Sequence, residues 1–158
     1  MNIFVLDKDP RIAAQMACDK HVVKMILETA QMLSTAARAH GGWAPYGATH
    51  KKHPCTLWVA KSQANWNWLV AHGLALCAEY TLRYNKRHKS QSVIEYCKHL
   101  KLQFSQEGLT PFAQAMPPQY KHECVVTAYR AYYHGEKARF ATWKTKKPKW
   151  WRGKLNIK

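Results

Sequence analysis

The 158-residue sequence has 25 lysine and arginine residues against 9 aspartate and glutamate residues, a formal net charge of +16 with the histidines neutral. Its length fits one domain over residues 1–158, because two domains would each have a small core, and its 47% of hydrophobic residues suffices for a globular fold. No run approaches the ~20 apolar residues that a membrane helix needs, so we expect no membrane partner.

The first forty residues show helical periodicity after an apolar start. Residues 3–6 (IFVL) predict either a short strand or an extended anchoring segment. The Asp-Pro pair at 9–10 is typical of a helix cap and first helical residue. Helical spacing then continues to about residue 40, where the Gly-Gly pair at 41–42 ends it. Because Asp19 is a good cap residue, a break at this point is left open.

The middle of the chain alternates loops with further helices. Residues 41–53 are rich in Gly, Pro and basic residues, which predicts a loop. Pro54 opens a second long helix that ends in a basic run at residues 83–89. A serine at position 90 or 92 caps a short helix that continues through residue 100.

The last third of the chain is less regular. Three prolines within residues 105–121 predict a mostly irregular segment. A last helix is expected over roughly residues 123–143, and a basic, aromatic tail covers about residues 143–158. Strand-like alternation is almost absent, so the sequence predicts an all-α fold: a compact single-domain helical bundle with long loops and a short extended N-terminal segment.

The excess of positive charge predicts a polyanionic partner. Such a field attracts nucleic acid, and each neutralised phosphate releases counterions. DNA is the preferred partner and RNA the alternative, and we expect a monomer. A basic surface that only keeps the protein soluble is the competing interpretation.

Cysteines and histidines give no metal or redox signature. The five cysteines are scattered without a CxxC pair, which favours buried thiols in a reducing compartment. The nine histidines form neither an HExxH motif nor two matching clusters, so we expect no metal and no cofactor. The opening residues carry acidic groups where a signal segment would be apolar, which favours the cytoplasm.

The segment DKHVVKMILETAQ carries the candidate chemistry. Four polar residues fall within roughly an 80° sector of the predicted helix: His21, Lys24, Glu28 and Gln31. The other side carries the residues expected to face the core: Val22, Val23, Ile26, Leu27, Ala30 and Leu33. The alternative is an ordinary exposed stripe in which Lys24 and Glu28 form a surface ion pair.

Aromatic residues beside cations form a second candidate surface. Trp143, Trp150 and Trp151 alternate with six lysines and arginines, the composition of a base-stacking platform in a phosphate-attracting segment. Tyrosines at 129, 132 and 133 offer similar material, but their spacing also fits the core and we expect at least one to be buried. Tryptophans at 66 and 68 are expected in the core.

Three motifs resemble the small bacteriophage pyrimidine-dimer DNA glycosylases of the endonuclease V type. The opening MNIFVL is followed by Asp19-x-His21 and then, seven residues after the histidine, by Glu28. His53-Pro54 leads into a long helix, and PKWW lies in a basic, aromatic C-terminal end. The chain also resembles uncharacterised phage proteins with the same opening, and a phage origin would place it in the host cytoplasm.

The resemblance implies a helical domain that takes a nucleotide out of the DNA stack and needs no cofactor. In that family the N-terminal amine attacks the sugar C1′ and a glutamate assists. Carried over, Met1 supplies the amine, Glu28 the carboxylate and His21 a supporting polar group. A free α-amine has a pKa of ~8, so a useful fraction is neutral at neutral pH.

One departure concerns the residue after Met1. The family exposes a threonine amine once methionine is lost, whereas Asn2 stands here, and a side chain of that size usually blocks methionine removal. The nucleophile is then the amine of Met1, or the enzyme is a glycosylase without a covalent step. Lys24 is a second candidate nucleophile on the same helix face.

These arguments predict a DNA-repair glycosylase for damaged bases, with or without strand cleavage at the abasic (AP) site. Its expected nucleic-acid contacts are Asp19, Lys20, His50, Lys52, His53, Arg130, Lys137, Lys147, Lys149, Trp150, Trp151 and Arg152. Two alternatives stay open: a nucleic-acid-binding protein without catalysis, and a phage enzyme that acts on modified bases or RNA.

Overall fold

The computed structural model describes residues 1–154. Within them the chain forms six α-helices and no strand: α1 (Pro10–Met16), α2 (Asp19–Ala39), α3 (Pro54–Lys61), α4 (Gln63–Tyr84), α5 (Gln91–Lys98) and α6 (Val125–Tyr132). A 3₁₀ turn at Pro118–Tyr120 lies in the proline-rich segment, and a π turn at Tyr133–Lys137 continues α6. The all-α prediction is confirmed; residues 155–158 of the predicted tail lie outside the described part.

The N-terminal elements follow the predicted signals. Residues 3–6 form no strand and lie buried as an irregular segment, in which the Leu6 N–H donates to the Phe4 carbonyl at 2.9 Å. The Asp9 carboxylate caps α1 by accepting hydrogen bonds from the backbone of Arg11 and Ile12, at 2.8 and 3.2 Å. The break left open near Asp19 is present, because α2 begins there. Gly41 has φ +79°, a left-handed conformation that ends α2 at little cost for glycine.

The predicted second long helix is two helices. Ser62 is extended, with φ −147° and ψ 159°, and therefore separates α3 from α4. Its hydroxyl accepts a hydrogen bond from the backbone N–H of Asn65 at 3.1 Å, so it acts as the cap of α4. The predicted single helix was wrong at this point because one serine inside an apolar run gives a weak signal.

The predicted last helix was too long. Helical structure ends at Lys137, where the sequence indicated about residue 143. Beyond this point the chain turns back to α2: the backbone N–H of Asp19 donates to the carbonyl of Thr142 at 2.8 Å. The N–H of Lys144 donates to the Asp19 carboxylate at 3.0 Å. These long-range bonds fix an irregular segment that helical spacing alone does not exclude.

Helix α4 lies at the centre of the bundle and packs against α1, α2, α3 and α5. Its Gly73 permits a close approach, because a Cβ there would lie 2.8 Å from the Thr29 side chain of α2. The predicted core tryptophans, Trp66 and Trp68, are buried in α4. Within residues 1–154, every helix is too short or too polar to span a lipid bilayer.

A buried arginine connects α4 to the start of α2. The Arg83 side chain is fully buried and pairs with Asp19 at 3.1 Å and with Glu79 at 2.9 Å. It also donates to the backbone carbonyls of Gln15 and Ala17. The carboxylates, themselves mostly buried, depend on this one guanidinium for compensation of their charge.

Replacement of Arg83 by methionine is expected to lower the free energy of unfolding by about 3 kcal/mol, because it leaves two buried carboxylates without their cation. Urea denaturation measures the loss. The control is Arg87→Met, whose pair with Glu95 is exposed on both sides and is worth at most about 1 kcal/mol. Equal losses of stability for the two variants would contradict the role of Arg83 as the cation that compensates the two buried carboxylates.

A buried histidine makes stability depend on pH. His72 stacks on Trp68 with ring centroids 5.0 Å apart, and its Nδ1 bonds the Pro10 carbonyl at 2.9 Å. Burial lowers the pKa of His72 from 6.5 to about 4, although the bond to Pro10 opposes the shift. The unfolded chain therefore takes up this proton first as the pH falls.

Stability is expected to be highest above pH 6.5 and to decline as the pH falls towards the folded pKa of about 4. This group contributes a slope of up to about 1.4 kcal/mol per pH unit within that window. His72→Asn keeps an N–H donor for Pro10 without a titrating ring, and should remove this part of the slope in urea titrations. An unchanged slope would show that other groups control the acid transition.

Candidate active site

The N-terminal amine and Glu28 form an ion pair. The Met1 nitrogen lies 2.8 Å from Oε1 of Glu28, and the two side chains are 3% and 9% exposed. Met1 as a whole residue is only half-buried, so the part that solvent reaches is its backbone, which carries the amine. A carboxylate in contact with this amine can accept its proton.

The second oxygen of Glu28 is also buried. Within residues 1–154, Oε2 is buried and makes no hydrogen bond. A buried carboxylate oxygen without a partner costs free energy and is rare in folded proteins. Glu28 therefore keeps an acceptor free at the position where the amine is held.

The local structure explains why the two groups meet. Residues 3–6 are fully enclosed by the core and bring the N-terminus to the middle of α2. The predicted surface pair with Lys24 is absent from the described structure, since Lys24 is exposed and Glu28 contacts the amine. Two residues predicted to face the core, Val23 and Leu27, are 39% and 42% exposed, so that part of the prediction was wrong.

His21 is a buried neutral group beside the N-terminal segment. Its Nδ1 lies 2.7 Å from the Tyr133 hydroxyl, and its ring stacks on Phe4 with centroids 4.1 Å apart. Burial, followed by the positive charges of Lys137, Lys24 and Lys20, lowers the pKa of His21 from 6.5 to about 3. His21 thus holds no proton of its own to donate as a cation, and it supports the packing of Phe4.

Three lysines surround this histidine. The Lys137 ammonium lies 4.7 Å from the centroid of the Tyr132 ring and 5.7 Å from that of Phe4. Lys20 lies over the Phe140 ring at 4.7 Å. Burial lowers the pKa of Lys137, and the charges of Arg139 and Lys24 act in the same direction, while Glu136 opposes them. The predicted contacts Lys20 and Lys137 are therefore brought together around His21.

The loop before α3 lies near the amine. The His53 ring caps α3, because its Nδ1 accepts a hydrogen bond from the backbone of Cys55 at 3.1 Å. Burial lowers the pKa of His53, followed by the charges of the N-terminal amine and His50, with Glu28 opposing. His50 and Lys52 are exposed in the same loop. Of these three predicted contacts, His53 is the one that lies close enough to sense the charges of both the amine and Glu28.

The C-terminal tryptophans are half-buried and pack on the core. Trp143 donates to the Met16 carbonyl at 2.9 Å, and Trp150 lies 3.3 Å from the Met16 sulfur. Trp151 stacks on His134 with centroids 4.9 Å apart. Their rings are therefore engaged within the protein, where the sequence predicted an open stacking platform. Tyr129 and Tyr133 are fully buried, which agrees with the expectation that at least one of the three tyrosines lies in the core.

The cations of the same region remain accessible. Lys147, Lys149 and Arg152 are exposed, and the first two line a groove of about 700 Å³ together with Trp150 and Arg130. The Arg130 guanidinium lies 5.2 Å from the Trp150 ring. Their predicted contact with nucleic acid stays a prediction.

Asp19 was predicted to contact nucleic acid, but its carboxylate makes its hydrogen bonds within the protein. One oxygen accepts from Arg83 and from the backbone of Lys144, and the other from the hydroxyl of Thr142 at 3.1 Å. With its residue buried and both oxygens engaged, it anchors the C-terminal segment to α2. Among residues 1–154, no group of three side chains is arranged to hold a metal ion.

Sequence reasoning missed one residue beside the pair. Asn2 was considered only for its effect on methionine removal, yet its side chain is buried and hydrogen-bonded. Two of its partners, Ala115 and Tyr129, lie more than 100 residues away, and no local pattern indicates such contacts.

Comparison with known families identifies the chain. A family model described as pyrimidine dimer DNA glycosylase matches residues 1–92, more than half of the 158 residues. No curated protein and no solved structure matches. The matched span contains Met1, Glu28 and His53, and it confirms the predicted resemblance. The chain belongs to the pyrimidine dimer DNA glycosylase family, which acts in DNA repair.

Proposed function

We propose that the protein releases a damaged pyrimidine from DNA and then cleaves the strand at the resulting abasic site. Membership of the family supports a DNA substrate and glycosylase chemistry. The observation that carries the proposal is the 2.8 Å contact between the Met1 amine and Glu28. It joins a nucleophile to a proton acceptor, the arrangement that covalent catalysis by an amine requires.

In the first step, Glu28 accepts a proton from the Met1 amine, and the neutral nitrogen attacks C1′ of the damaged nucleotide. The C1′–N bond to the base breaks, and the base leaves with a second proton from the attached Met1 nitrogen. The sugar ring then opens: the C1′–O4′ bond breaks, O4′ takes the proton held by Glu28, and a protonated imine links Met1 to C1′. The free Oε2 of Glu28 is an acceptor for the O4′ hydroxyl.

In the second step, the imine acidifies C2′, and loss of a C2′ proton expels the 3′ phosphate by cleavage of the C3′–O bond. Glu28, deprotonated again after ring opening, serves as the base that takes this proton. Hydrolysis of the imine releases the sugar fragment and restores the amine. No cofactor enters this sequence, because the amine supplies the electrophilic activation.

The surrounding cations suit a phosphate backbone. Lys20, Lys24 and Lys137 lie around neutral His21, which stacks on Phe4 of the N-terminal segment. His50 and Lys52 lie in the loop that carries His53 near the amine. Cations therefore lie both around the histidine that packs on the N-terminal segment and in the loop near the amine, where they can attract the phosphates of a bound strand.

The test is reductive trapping with borohydride on ultraviolet-irradiated DNA and on DNA with a single abasic site. We expect a covalent protein–DNA product whose linked peptide contains Met1. A product mapped to Lys24 would assign the nucleophile to the second candidate. Base release without a trapped product would limit the activity to that of a simple glycosylase, and no reaction on either DNA would favour a binding protein.

A further inference from the structure

The Asn2 side chain is hydrogen-bonded at both ends. Its Oδ1 accepts from the backbone N–H of Ile3 and from the Tyr129 hydroxyl, both at 2.8 Å. Its Nδ2 donates to the carbonyl of Ala115 at 2.8 Å. The Cys55 sulfur lies 3.8 Å from Oδ1. The residue is 8% exposed, so these bonds are shielded from water.

These partners come from three separate parts of the chain. Cys55 lies in the first turn of α3, Ala115 in the irregular segment before the 3₁₀ turn, and Tyr129 in α6. The Tyr129 hydroxyl also accepts a hydrogen bond from the backbone of Ala115 at 3.3 Å. Asn2 thus fixes the start of the chain to α3, to α6 and to the irregular segment at once.

We propose that Asn2 is the positioning residue that holds the Met1 amine against Glu28. The inference rests on the proposed function, since it gives that amine a catalytic task. Met1 directly precedes Asn2 in the chain, so only the few torsions of one residue separate the fixed side chain from the nucleophile. A nucleophile misplaced by as little as ~1 Å costs about 100-fold in rate.

The same geometry sets the register of the N-terminus. The amine that reaches Glu28 is that of Met1, whereas a chain beginning at Asn2 would carry its amine up to ~3.8 Å further back. Asn2 cannot move forward to compensate without breaking its bonds to Ala115 and Tyr129. The active form is therefore the one that keeps Met1.

The first experiment compares two buried asparagines. Asn65 donates to the Trp58 carbonyl and to the Thr110 hydroxyl, and accepts from the Thr110 backbone, but it makes none of these bonds to the N-terminal segment. Asn2→Leu and Asn65→Leu thus remove similar buried bonds. Both are measured for thermal stability, affinity for abasic DNA and the rate of borohydride trapping.

Asn2→Leu is expected to trap about 100-fold more slowly than the parent at unchanged DNA affinity, while Asn65→Leu traps at the parent rate if it stays folded. Tyr129→Phe, which removes one of the donors to Asn2, should slow trapping less. In the double variant, the two losses should not add, because both act through one contact. Equal slowing by Asn2→Leu and Asn65→Leu would reduce Asn2 to a structural role.

A second experiment keeps Asn2 and changes only the register. One glycine inserted between Met1 and Asn2 allows methionine removal and returns the amine to its place, whereas two inserted glycines leave it one residue too far out. We expect the first form to trap like the parent and the second to trap slowly, with the N-termini checked by intact mass. Equal trapping by both, or a parent that begins at Asn2, would overturn the inference.

These outcomes are separable from a failure of the proposed function. If the parent forms no trapped product on abasic DNA, the amine is not the nucleophile and the covalent part of the proposed function fails. A different result is a parent that traps at Met1, while Asn2→Leu traps at the same rate as Asn65→Leu and the two glycine insertions trap at equal rates. In that case the proposed function stands and only the positioning role of Asn2 is lost.

Discussion

Replacement of Glu28 by glutamine is expected to lower strand cleavage at an abasic site by about 10²- to 10⁴-fold, the usual contribution of a positioned acid or base. Glutamine keeps the size of the side chain but cannot accept a proton from the Met1 amine, 2.8 Å away in the parent. The amine then stays without a base at the moment of attack. Single-turnover cleavage of an abasic oligonucleotide measures the loss.

DNA affinity should stay unchanged or rise in this variant, because one negative charge is removed from the site. Glu107→Gln is the matched control: it makes the same charge change at an exposed residue and should cleave like the parent. A protein that only binds nucleic acid predicts a different result, with no cleavage by the parent and no distinction between the two variants. Cleavage by Glu28→Gln at the parent rate would remove Glu28 from the mechanism.

The candidate site shows what a sequence pattern can and cannot give. Helical spacing placed His21 and Glu28 on one side of α2, and the resemblance marked Glu28 and Met1. Helical spacing could not show that this side of α2 is buried, because the segment that covers it, residues 1–6, lies elsewhere in the sequence. Val23 and Leu27 are exposed for the same reason: the core-facing stripe of α2 includes polar residues that contact the N-terminus.

The fold shows the same division between local and distant causes. Local signals gave the cap at Asp9, the glycine end of α2 and the start of α3 at Pro54. The errors in the predicted fold arise from contacts between distant parts of the sequence. The segment after Lys137 is not helical, because Thr142 and Lys144 form hydrogen bonds to Asp19 at the start of α2. Spacing along one segment carries no information on such partners.

Affinity for duplex DNA is expected to fall at least about 10³-fold between ~50 and ~200 mM salt, the loss typical of six or more phosphate contacts. The net charge of +16 and the exposed cations near the amine and in the C-terminal segment supply such contacts. Binding is followed by fluorescence anisotropy of a labelled duplex over a series of salt concentrations. A slope near zero would remove DNA phosphate as the main partner.

The slope also tests which lysines take part. Lys147→Gln and Lys149→Gln should each lower the slope of log affinity against log salt by about 1, because each removes one phosphate contact. Lys61→Gln, at the exposed end of α3, makes the same change in net charge outside the predicted contacts. If Lys61→Gln lowers the slope equally, affinity depends on the total charge of the protein. If only Lys147→Gln and Lys149→Gln lower it, the DNA backbone binds at the groove in the C-terminal segment.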